Sequence, residues 1–370
     1  MEICYLINQL APGGAPTLLL DIVRNSSDGE SYTICQMEGD TSLANEFSQS
    51  GAEVVNFGAR FKFDPIAMSK MASYFRKNEF DILHAHLPYS QTLARTIGRV
   101  GKVDKIISTQ HSFPSNYHPI TRFLERQTRW LDDATIGISK AITQSFRESP
   151  TRTDWYTIYN GTNVERLSKK TEHSDSNKLK SKLDIEEETI FLNVGRYVPV
   201  KSQSDLIRAV SMRESHFQDS HFLIVGWGPL EAELTQLADD LGVSDRVTIT
   251  GQVPKEDIHR YYALADAFIL PSKSEGFGIC LIEAMAASLP VIATDIPGVR
   301  EVVNDEKTGL LVPSSSPNKL ANAIIELESV EKRHSLGKSG FKRVSNRFDI
   351  KNTIDQHTTL YHQLSPEDLQ

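Results

Sequence analysis

Two glutamates bracket a glycine-bearing segment, Glu275-Gly-Phe-Gly-Ile-Cys-Leu-Ile-Glu283, whose residue types suit the binding of phosphate and sugar. A strand-like run ends just before it, and a helical pattern begins near Gly278, so main-chain N–H groups at the helix start favour an anion or a partially negative oxygen. Gly276 and Gly278 let the main chain approach a ligand closely. The Glu283 carboxylate has two acceptor oxygens for the two hydroxyls of a ribose, and Glu275 is placed to accept from sugar hydroxyls. The alternative is an ordinary amphipathic helix with a solvated glutamate.

Two cations, Arg196 and Lys201, stand five residues apart directly after another strand-like run. Arginine binds phosphate oxygens through a planar fork, and lysine binds them as a point charge. Together they predict neutralisation of a diphosphate leaving group without a metal ion. Arg and Lys are common at strand ends, so this prediction depends on the pair occurring with the glutamate segment.

Gly13 and Gly14 follow the first strand-like run and resemble half of a dinucleotide-binding fingerprint. The complete G-x-G-x-x-G pattern is missing here and also after Gly226, where Glu231 stands in place of the third glycine. The alternative for the glycine pair is a tight turn between strand and helix. The pattern GxxxxGK[ST] does not occur, which excludes a P-loop ATPase.

Polar residues end several other strand-like runs. His111 ends one of them where a ligand is expected, and Ser139 and Asn160 share that placement. His84 and His86 form a His-Ala-His pair without nearby cysteine or carboxylate ligands, so we expect no metal site. The chain has no Asp-x-Asp pair, which argues against a metal-bridged sugar-nucleotide mechanism.

These residues depend on short apolar runs that alternate with helical patterns along almost the whole chain. Such alternation predicts an α/β fold with parallel, doubly wound sheets, in which ligands bind beyond the carboxyl ends of the strands. A polar stretch, 165–188, is the candidate linker, with room for one helix. The strand-like runs lie at 2–8, 31–37, 52–58, 81–86, 103–111, 133–139, 154–161, 189–195, 221–226, 246–251, 267–272, 289–294 and 308–313.

The 370 residues predict two or three domains, since a domain has about 150 residues. A net charge of −8 argues against a nucleic-acid partner. The stretch 60–129 nevertheless carries twelve Lys and Arg against five Asp and Glu, and Arg122, Arg126 and Arg129 are spaced to share one face of a helix over 119–133. That helix either docks on anionic lipid or is an ordinary surface helix whose apolar face joins the core.

Three cysteines without a C-x-x-C spacing predict neither a disulfide framework nor a zinc site. No apolar run approaches the length of about 20 residues that a membrane span needs. The N-terminus has no basic region before an apolar run, so we expect no signal peptide and a cytoplasmic location.

Taken together, these motifs resemble the GT-B glycosyltransferases, specifically the large retaining family 4, over nearly the whole chain. The glutamate pair with its seven intervening residues is the most specific of the matching segments. In chain order, these segments are the Gly-Gly loop, DILHAH, STQHS, GISK, YNGTN, NVGRYVPVKS, LIVGWGPLEAEL, ITGQVPKEDIHRYYALADAFILPS, SEGFGICLIEAMAASLPVIATDIPGVREVV and TGLLVP.

The resemblance implies two Rossmann-like domains that face each other across a cleft. It places an acceptor-side domain at 1–165, a nucleotide-sugar-binding domain at 166–347, and a C-terminal helix at 348–364 that crosses back to the first domain. Trp227 stands where the family often has a polar residue, and "DIPGVRE" replaces a common Gly-Gly version. Both departures bear on the donor pocket.

Roles for individual residues follow from the same resemblance. Arg196 and Lys201 hold the donor diphosphate, Glu283 binds the ribose, and Glu275 and His111 contact the transferred sugar. The implied catalytic residues are Arg196, Lys201, Glu275 and His111. The implied substrate-binding residues are Gly13, Gly14, Ser139, Asn160, Val253, Gly276, Phe277, Gly278, Ile279 and Glu283.

The expected activity is therefore metal-independent, retaining transfer of a sugar from a nucleoside-diphosphate sugar to an acceptor hydroxyl. No cofactor is expected, because the nucleoside-diphosphate sugar is the donor substrate. Expected acceptors are a glycan, a lipid-linked sugar or a lipid, with an anionic membrane surface as a possible partner of the basic stretch. The alternatives are a GT-B sugar-nucleotide epimerase or hydrolase, and a non-catalytic binder of sugar nucleotides.

Overall fold

The computed structural model describes residues 1–26, 29–147 and 153–365. The chain forms two compact units. The N-terminal unit comprises Met1–Gly161 together with the segment from Ile350 onward, and the C-terminal unit comprises Thr162–Asp349. Among the described residues, no helix combines the length and the apolar character needed to cross a membrane.

The N-terminal unit is built on a parallel sheet with the strand order β3-β2-β1-β4-β5-β6-β7 in its described part. Its strands are β1 (Glu2–Ile7), β2 (Ser31–Gln36), β3 (Glu53–Asn56), β4 (Ile82–His86), β5 (Lys105–Gln110), β6 (Ala134–Gly137) and β7 (Asp154–Thr157). Its helices are α1 (Gly14–Asn25), α2 (Ala44–Gln49), α3 (Pro65–Lys77), α4 (Pro88–Leu93), α5 (Pro119–Thr128), α6 (Lys140–Arg147) and α16 (Ile350–Leu364).

The central strands of this sheet are buried on both sides, because helices cover both faces of the sheet. Ile3 and Tyr5 of β1 belong to one apolar core, and Cys4 and Leu6 belong to the other. This alternation is the one expected of a strand whose successive side chains point to opposite faces. Tyr361 of α16 is fully buried in the first core, so the last helix is part of the N-terminal unit.

The C-terminal unit repeats the architecture, with the strand order β10-β9-β8-β11-β12-β13 in the described chain. Its strands are β8 (Thr189–Val194), β9 (Ser220–Val225), β10 (Val247–Ile249), β11 (Ala267–Leu270), β12 (Val291–Thr294) and β13 (Leu310–Val312). Its helices are α7 (Val164–Glu172), α8 (Ser176–Lys182), α9 (Gln203–Ser211), α10 (Glu231–Asp240), α11 (Ile258–Leu264), α12 (Ile279–Ala286), α13 (Pro297–Val302), α14 (Pro317–Glu326) and α15 (Val330–Arg347). The predicted fold class, two doubly wound α/β domains, is confirmed.

The prediction of a linker over 165–188 with room for one helix is wrong. Two helices occupy this polar stretch, α7 and α8, and both pack against α11. Each has a side-chain cap, because Asn163 Oδ1 accepts from the Arg166 N–H at 2.9 Å and Asp175 Oδ1 accepts from the Lys178 N–H at 3.0 Å. These caps satisfy N–H groups at the helix starts, and tertiary packing stabilises helices whose sequences are mostly polar.

The prediction that Arg122, Arg126 and Arg129 share one face of a helix over 119–133 is also wrong. Helix α5 ends at Thr128, and the next turn directs Arg129 inward. There its Nε donates to Glu125 Oε1 at 2.7 Å, and its guanidinium lies 4.9 Å from the centre of the Phe146 ring. A buried arginine needs a counter-ion, and Glu125 supplies it one turn back along the helix.

Strand order identifies where each sheet can bind a ligand. The chain reverses its direction of strand addition between β1 and β4 in the first sheet and between β8 and β11 in the second. In open α/β sheets the crevice for a ligand lies at the carboxyl ends of the strands on either side of such a reversal. The loops after these four strands are therefore the places where functional side chains are expected.

Candidate functional site

The loop after β8 carries both predicted phosphate-binding cations. Arg196 is exposed, and its guanidinium lies 5.1 Å from the centre of the Trp227 ring. The main chain at Arg196 is held by Gln203, whose Nε2 donates to the Arg196 carbonyl at 3.0 Å. A guanidinium over an aromatic face keeps its in-plane N–H donors available for an anion. Trp227, the departure from the family pattern, thus supports the cation that the sequence identified.

Lys201 ends a short 3-10 turn in the same loop and forms an ion pair with Glu275, which follows β11. Ser272 Oγ donates to the same carboxylate oxygen at 2.8 Å, and the Lys273 N–H donates to the Val200 carbonyl at 2.8 Å. These bonds join the loops on the two sides of the strand-order reversal. Burial works against the charge of Lys201, but the Glu275 carboxylate outweighs it and raises the pKa of the ammonium.

The glycine-bearing loop between β11 and α12 places main chain at the start of a helix. Gly278 has φ of 92°, a left-handed conformation that favours glycine, and Ile279 is the first residue of α12. The Phe277 side chain is buried against Phe348 with ring centres 5.3 Å apart, so only its main chain is available to a ligand. Gly276, which precedes Phe277 in the loop, is half-buried.

Gly298 supports this loop, although the sequence analysis assigns it no role beyond its place in a variant motif. A Cβ at Gly298 would lie 2.2 Å from the Glu275 carbonyl oxygen, a distance that no real contact allows. The α13 start and the glycine-bearing loop therefore pack main chain to main chain. The signal that could have found it is a glycine directly after a proline at a helix start.

Glu283 lies one turn into α12 and is half-buried. The Tyr262 hydroxyl donates to Glu283 Oε2 at 2.9 Å. Burial, reinforced by the neighbouring carboxylate, raises the pKa of Tyr262, so its proton stays in place and orients Glu283. Val253 is half-buried in the loop that follows β10. The sequence analysis does not identify Tyr262 as a supporting residue, because Tyr262 and Glu283 are 21 positions apart and no motif links them.

In the N-terminal unit, the predicted residues also lie at the carboxyl ends of strands. Gly13 and Gly14 are exposed at the start of α1, and a Cβ at Gly13 would meet nothing closer than 3.9 Å. Ser139 is fully buried, and its Oγ accepts from the Ile142 N–H at 3.1 Å, so it caps α6. Asn160 is buried in the loop that follows β7.

His111 follows β5, is half-buried, and has a histidine as its hydrogen-bond partner. Its Nε2 lies 3.0 Å from Nδ1 of His86, the last residue of β4. Burial lowers the pKa of His111 to about 4 and lowers the pKa of His86 well below its usual value, so both rings are neutral near pH 7.

No group of three or more metal-ligating side chains within residues 1–26, 29–147 and 153–365 is arranged to hold a metal ion.

Comparison with known proteins identifies the family. A model of the glycosyl transferases group 1 matches residues 175–343, and a model of glycosyltransferase family 4 matches residues 12–166. The chain is a GT-B glycosyltransferase of the family 4 type. This confirms the resemblance found in the sequence. The relatives do not favour an epimerase, a hydrolase or a non-catalytic binder.

Two relatives in sequence and one solved structure illustrate what the chain is similar to. The glycosyltransferase is 28% identical over 331 residues to N-acetyl-alpha-D-glucosaminyl L-malate synthase of Bacillus anthracis, covering 85% of this chain and 84% of the relative. It is 36% identical over 156 residues, 40% of each chain, to a GDP-mannose-dependent alpha-(1-6)-phosphatidylinositol monomannoside mannosyltransferase of Mycobacterium tuberculosis. The structure of Anabaena HepE with UDP-glucose superimposes with a TM-score of 0.87 at 23% identity, covering 98% of this chain and 100% of that one. This last likeness shows the shared fold.

The structure gathers Arg196, Lys201, Glu275 and Glu283 with the glycine-bearing loop in the C-terminal unit. It places His111, Gly13, Gly14, Ser139 and Asn160 in the N-terminal unit. The catalytic and binding roles of these residues stay predictions. The contacts that hold these residues, made by Trp227, Ser272, Gly298 and Tyr262, are visible only in the structure.

Proposed function

We propose that this glycosyltransferase transfers a sugar from a nucleoside-diphosphate sugar to an acceptor hydroxyl, with retention of configuration and without a metal ion, in glycan or glycolipid assembly. The observation that carries the proposal is the arrangement of two cations and two carboxylates around the β8–β11 reversal. Its cations suit a diphosphate, and its carboxylates suit the hydroxyls of a ribose and a sugar. A relative whose name specifies GDP-mannose, and a solved structure of the same fold that holds UDP-glucose, support such a donor.

In this proposal, the cations act on the leaving group. As the bond between the anomeric carbon and the phosphate oxygen breaks, negative charge grows on the diphosphate. Arg196 stabilises that charge through its planar fork, and Lys201 stabilises it as a point charge already oriented by Glu275. These two side chains supply the charge that a metal ion supplies in other transferases. We therefore expect transfer to continue when divalent ions are removed.

We also propose front-face displacement through a state with oxocarbenium character. The leaving phosphate oxygen takes the proton of the acceptor hydroxyl while that hydroxyl attacks the same face of the sugar. This step needs no protein nucleophile and retains the anomeric configuration. Glu275 accepts from a hydroxyl of the transferred sugar, and Glu283 accepts from the ribose.

A donor panel followed by product analysis tests this function. A nucleoside-diphosphate sugar at 100 times its Kd should stabilise the protein by about 2.7 kcal/mol, which a thermal melt detects. The donor that binds is then incubated with and without acceptors in buffer containing EDTA, and the anomeric configuration of the product is read by NMR. We expect a retained product only when an acceptor is present. Free sugar as the sole product indicates a hydrolase, inversion contradicts the mechanism, and loss of turnover in EDTA contradicts metal independence.

On the acceptor side, we propose peripheral association with the cytoplasmic face of an anionic membrane through α5 and the turn after it. Three large apolar side chains are mostly solvent-exposed there: Ile120 at 64%, Phe123 at 61% and Trp130 at 65%. Arg122 and Arg126 are exposed between them. Single exposed apolar residues are common, but a cluster interleaved with cations matches the interface between acyl chains and anionic headgroups. A lipid or lipid-linked acceptor is then the favoured class.

Vesicle flotation tests this surface. We expect the protein to float with vesicles containing phosphatidylglycerol at low salt and to stay in solution with pure phosphatidylcholine. The double variant Phe123→Ser/Trp130→Ser should lose flotation, and Arg122→Gln/Arg126→Gln should weaken it at low salt. Arg166→Gln/Arg208→Gln, which removes two exposed arginines from the C-terminal unit, is the matched control. Failure to bind anionic vesicles makes a water-soluble acceptor the better assignment.

A further inference from the structure

Four histidines and two tyrosines, all of them buried except half-buried His111, form a cluster in the N-terminal unit that we call the histidine column. It consists of His84, His86, His111, His357, Tyr5 and Tyr361. His84 and His86 point to the same face of the sheet because they are two residues apart on β4. Their ring centres lie 4.3 Å apart, and the His86 and His111 ring centres lie 5.3 Å apart. The column thus connects the helix α16 to the predicted site residue His111.

The two β4 histidines differ in their hydrogen bonds. Both ring nitrogens of His84 have partners, since Nδ1 lies 2.6 Å from the Tyr361 hydroxyl and Nε2 lies 2.6 Å from Thr109 Oγ1. His86 uses Nδ1 for its contact with His111 Nε2. Its Nε2 is buried without a hydrogen-bond partner among the described residues. His84 therefore has hydrogen-bond partners at both ring nitrogens, whereas His86 has, within the described chain, one at Nδ1 alone, which is His111.

The contact between two neutral imidazole nitrogens requires one N–H and one lone pair. If His111 Nε2–H donated, His86 Nδ1 would be the acceptor, and the one proton of the neutral His86 ring would be on Nε2. That buried Nε2–H would then lack an acceptor. If His86 donates from Nδ1, its Nε2 is a lone pair instead. Buried N–H groups without an acceptor are rarer in proteins than buried acceptors without a donor. Tyr5 lies edge-to-face with His86 at 5.5 Å, and an N–H···π contact there is too weak to replace a hydrogen bond.

We infer that His86 is a positioning residue whose Nδ1–H donates to His111 Nε2 and holds His111 as the Nδ1–H tautomer. The two nitrogens of an imidazole point away from one another, so the Nδ1–H of half-buried His111 is directed away from the column. His111 then presents a hydrogen-bond donor to a ligand, and it cannot serve as a general base through Nδ1. The identity of that ligand as a sugar rests on the proposed function, but the tautomer does not.

The rest of the column fixes His86 in this orientation. The His84 ring packs against the His86 ring at a tilt of 34°, and His84 is held by Thr109 on one side and by Tyr361 of α16 on the other. Tyr361 in turn shares a hydrogen bond of 3.2 Å with Tyr5. Side chains locked by packing and by hydrogen bonds position a functional group more narrowly than a free side chain does.

NMR of the full chain with ¹⁵N-labelled histidine tests the tautomer without an activity assay. Long-range ¹H–¹⁵N correlations near pH 7.5 distinguish protonated from unprotonated ring nitrogens, and His111→Gln identifies the His111 signals. We expect His111 as the Nδ1–H tautomer in the unsubstituted protein. Observation of the Nε2–H tautomer for His111 overturns the inference whatever the enzyme's activity is. Conversely, absence of transferase activity leaves this measurement and its conclusion intact.

Two substitutions at His86 test the positioning role. His86→Asn places an amide N–H near the position of Nδ1, and His86→Leu fills similar space without a donor. We expect His86→Leu to lower kcat about tenfold to a hundredfold with little change in the acceptor KM, and to shift His111 to the Nε2–H tautomer. His86→Asn should recover most of kcat and the original tautomer. Equal loss in the two variants, in step with equal loss of Tm, would mean that His86 only fills space.

Discussion

The two units use one sheet architecture to build opposite electrostatic environments. At the β8–β11 reversal of the C-terminal unit, the functional groups are ionised and paired, as in Lys201 with Glu275. Beside the β1–β4 reversal of the N-terminal unit, they are the neutral, closely packed rings of the histidine column. The difference follows from counter-ions. Lys201 has a carboxylate partner that outweighs the cost of burial, whereas the hydrogen-bond partners of the His84 and His86 ring nitrogens in the described chain are hydroxyls and another imidazole.

Each environment suits a different part of the proposed reaction. Charges in the C-terminal unit match a diphosphate, whose own charge changes as the sugar leaves. Neutral donors in the N-terminal unit match uncharged hydroxyl groups, which need orientation more than charge. Three predictions can break or sharpen this comparison.

Acidification should have the largest effect, and it should act on the histidine column. Burial lowers the pKa of His111 and of His357 to about 4, against about 6.5 in an unfolded chain. Because the unfolded state binds more protons between these values, the free energy of unfolding falls as the pH drops from about 6.5 towards 4. For each histidine with these two pKa values, the free energy of unfolding is about 3 kcal/mol lower at pH 4 than at neutral pH.

Urea unfolding at pH 7.5 and pH 4.5 measures this loss. In a Trp227→Phe background, the remaining tryptophans, Trp130 and Trp155, lie in the N-terminal unit and report on it. His357→Gln should lower the number of protons taken up on unfolding by about one, which makes the free energy of unfolding less dependent on pH. His334→Gln, at an exposed histidine of the C-terminal unit, should leave it unchanged. A pH-independent free energy of unfolding for the N-terminal unit would show that the column is not neutral by burial.

Loss of a cation should have the next largest effect, and it should act on turnover. Lys201→Ala removes one charge-assisted contact to the leaving diphosphate and leaves Glu275 without its ion-pair partner. We expect about 2–4 kcal/mol less transition-state stabilisation, or roughly a 30-fold to 1,000-fold lower kcat. Steady-state kinetics with the identified donor measures it. Lys273→Ala, at an exposed lysine in the loop that contains Glu275, is the control. Near-normal kcat in Lys201→Ala would contradict the assignment of this region.

The smallest expected effect concerns the aromatic support of Arg196. Trp227→Ala removes a cation–π contact at an exposed site, which is worth about 0.5–1 kcal/mol. We expect about a twofold to fivefold higher KM for the donor with kcat nearly unchanged, since Arg196 remains but is less ordered. Trp227→Phe keeps an aromatic face and should lie close to the unsubstituted enzyme. An identical KM in all three proteins would show that Trp227 does not order Arg196.

Much of the architecture could be read from the sequence, because buried parallel strands appear as short apolar runs with polar residues at their ends. The segments around Arg196 and Glu283 marked the loops that the structure places at a strand-order reversal. The prediction for the polar stretch 165–188 is wrong for a physical reason. Its two short helices carry few apolar residues and depend on side-chain caps and on packing against α11, which the sequence alone does not show.

The basic stretch shows the same limit in another form. A count of charges cannot distinguish an exposed arginine from one that is buried with its counter-ion. Arg122 and Arg126 are exposed, but Arg129 pairs with Glu125, and Arg95 is fully buried with its Nη2 2.7 Å from Asp132 Oδ2. Conversely, the sequence predicts that the helix over 119–133 either docks on lipid or packs its apolar face into the core, and the structure leaves Phe123 and Trp130 exposed.

By itself, the sequence determined the fold class, the family and the residues whose chemistry suits a nucleotide sugar, because these depend on local patterns and on side-chain type. Only the tertiary structure decided which of these residues are partners. Lys201 and Glu275 are 74 positions apart, and His86 and His111 are 25 positions apart, so neither pairing is a local property. The ionised state of Lys201 and the neutral state of His86 also depend on the tertiary structure. Burial and the nearest counter-ion set the pKa, and both arise only when distant strands and helices pack together.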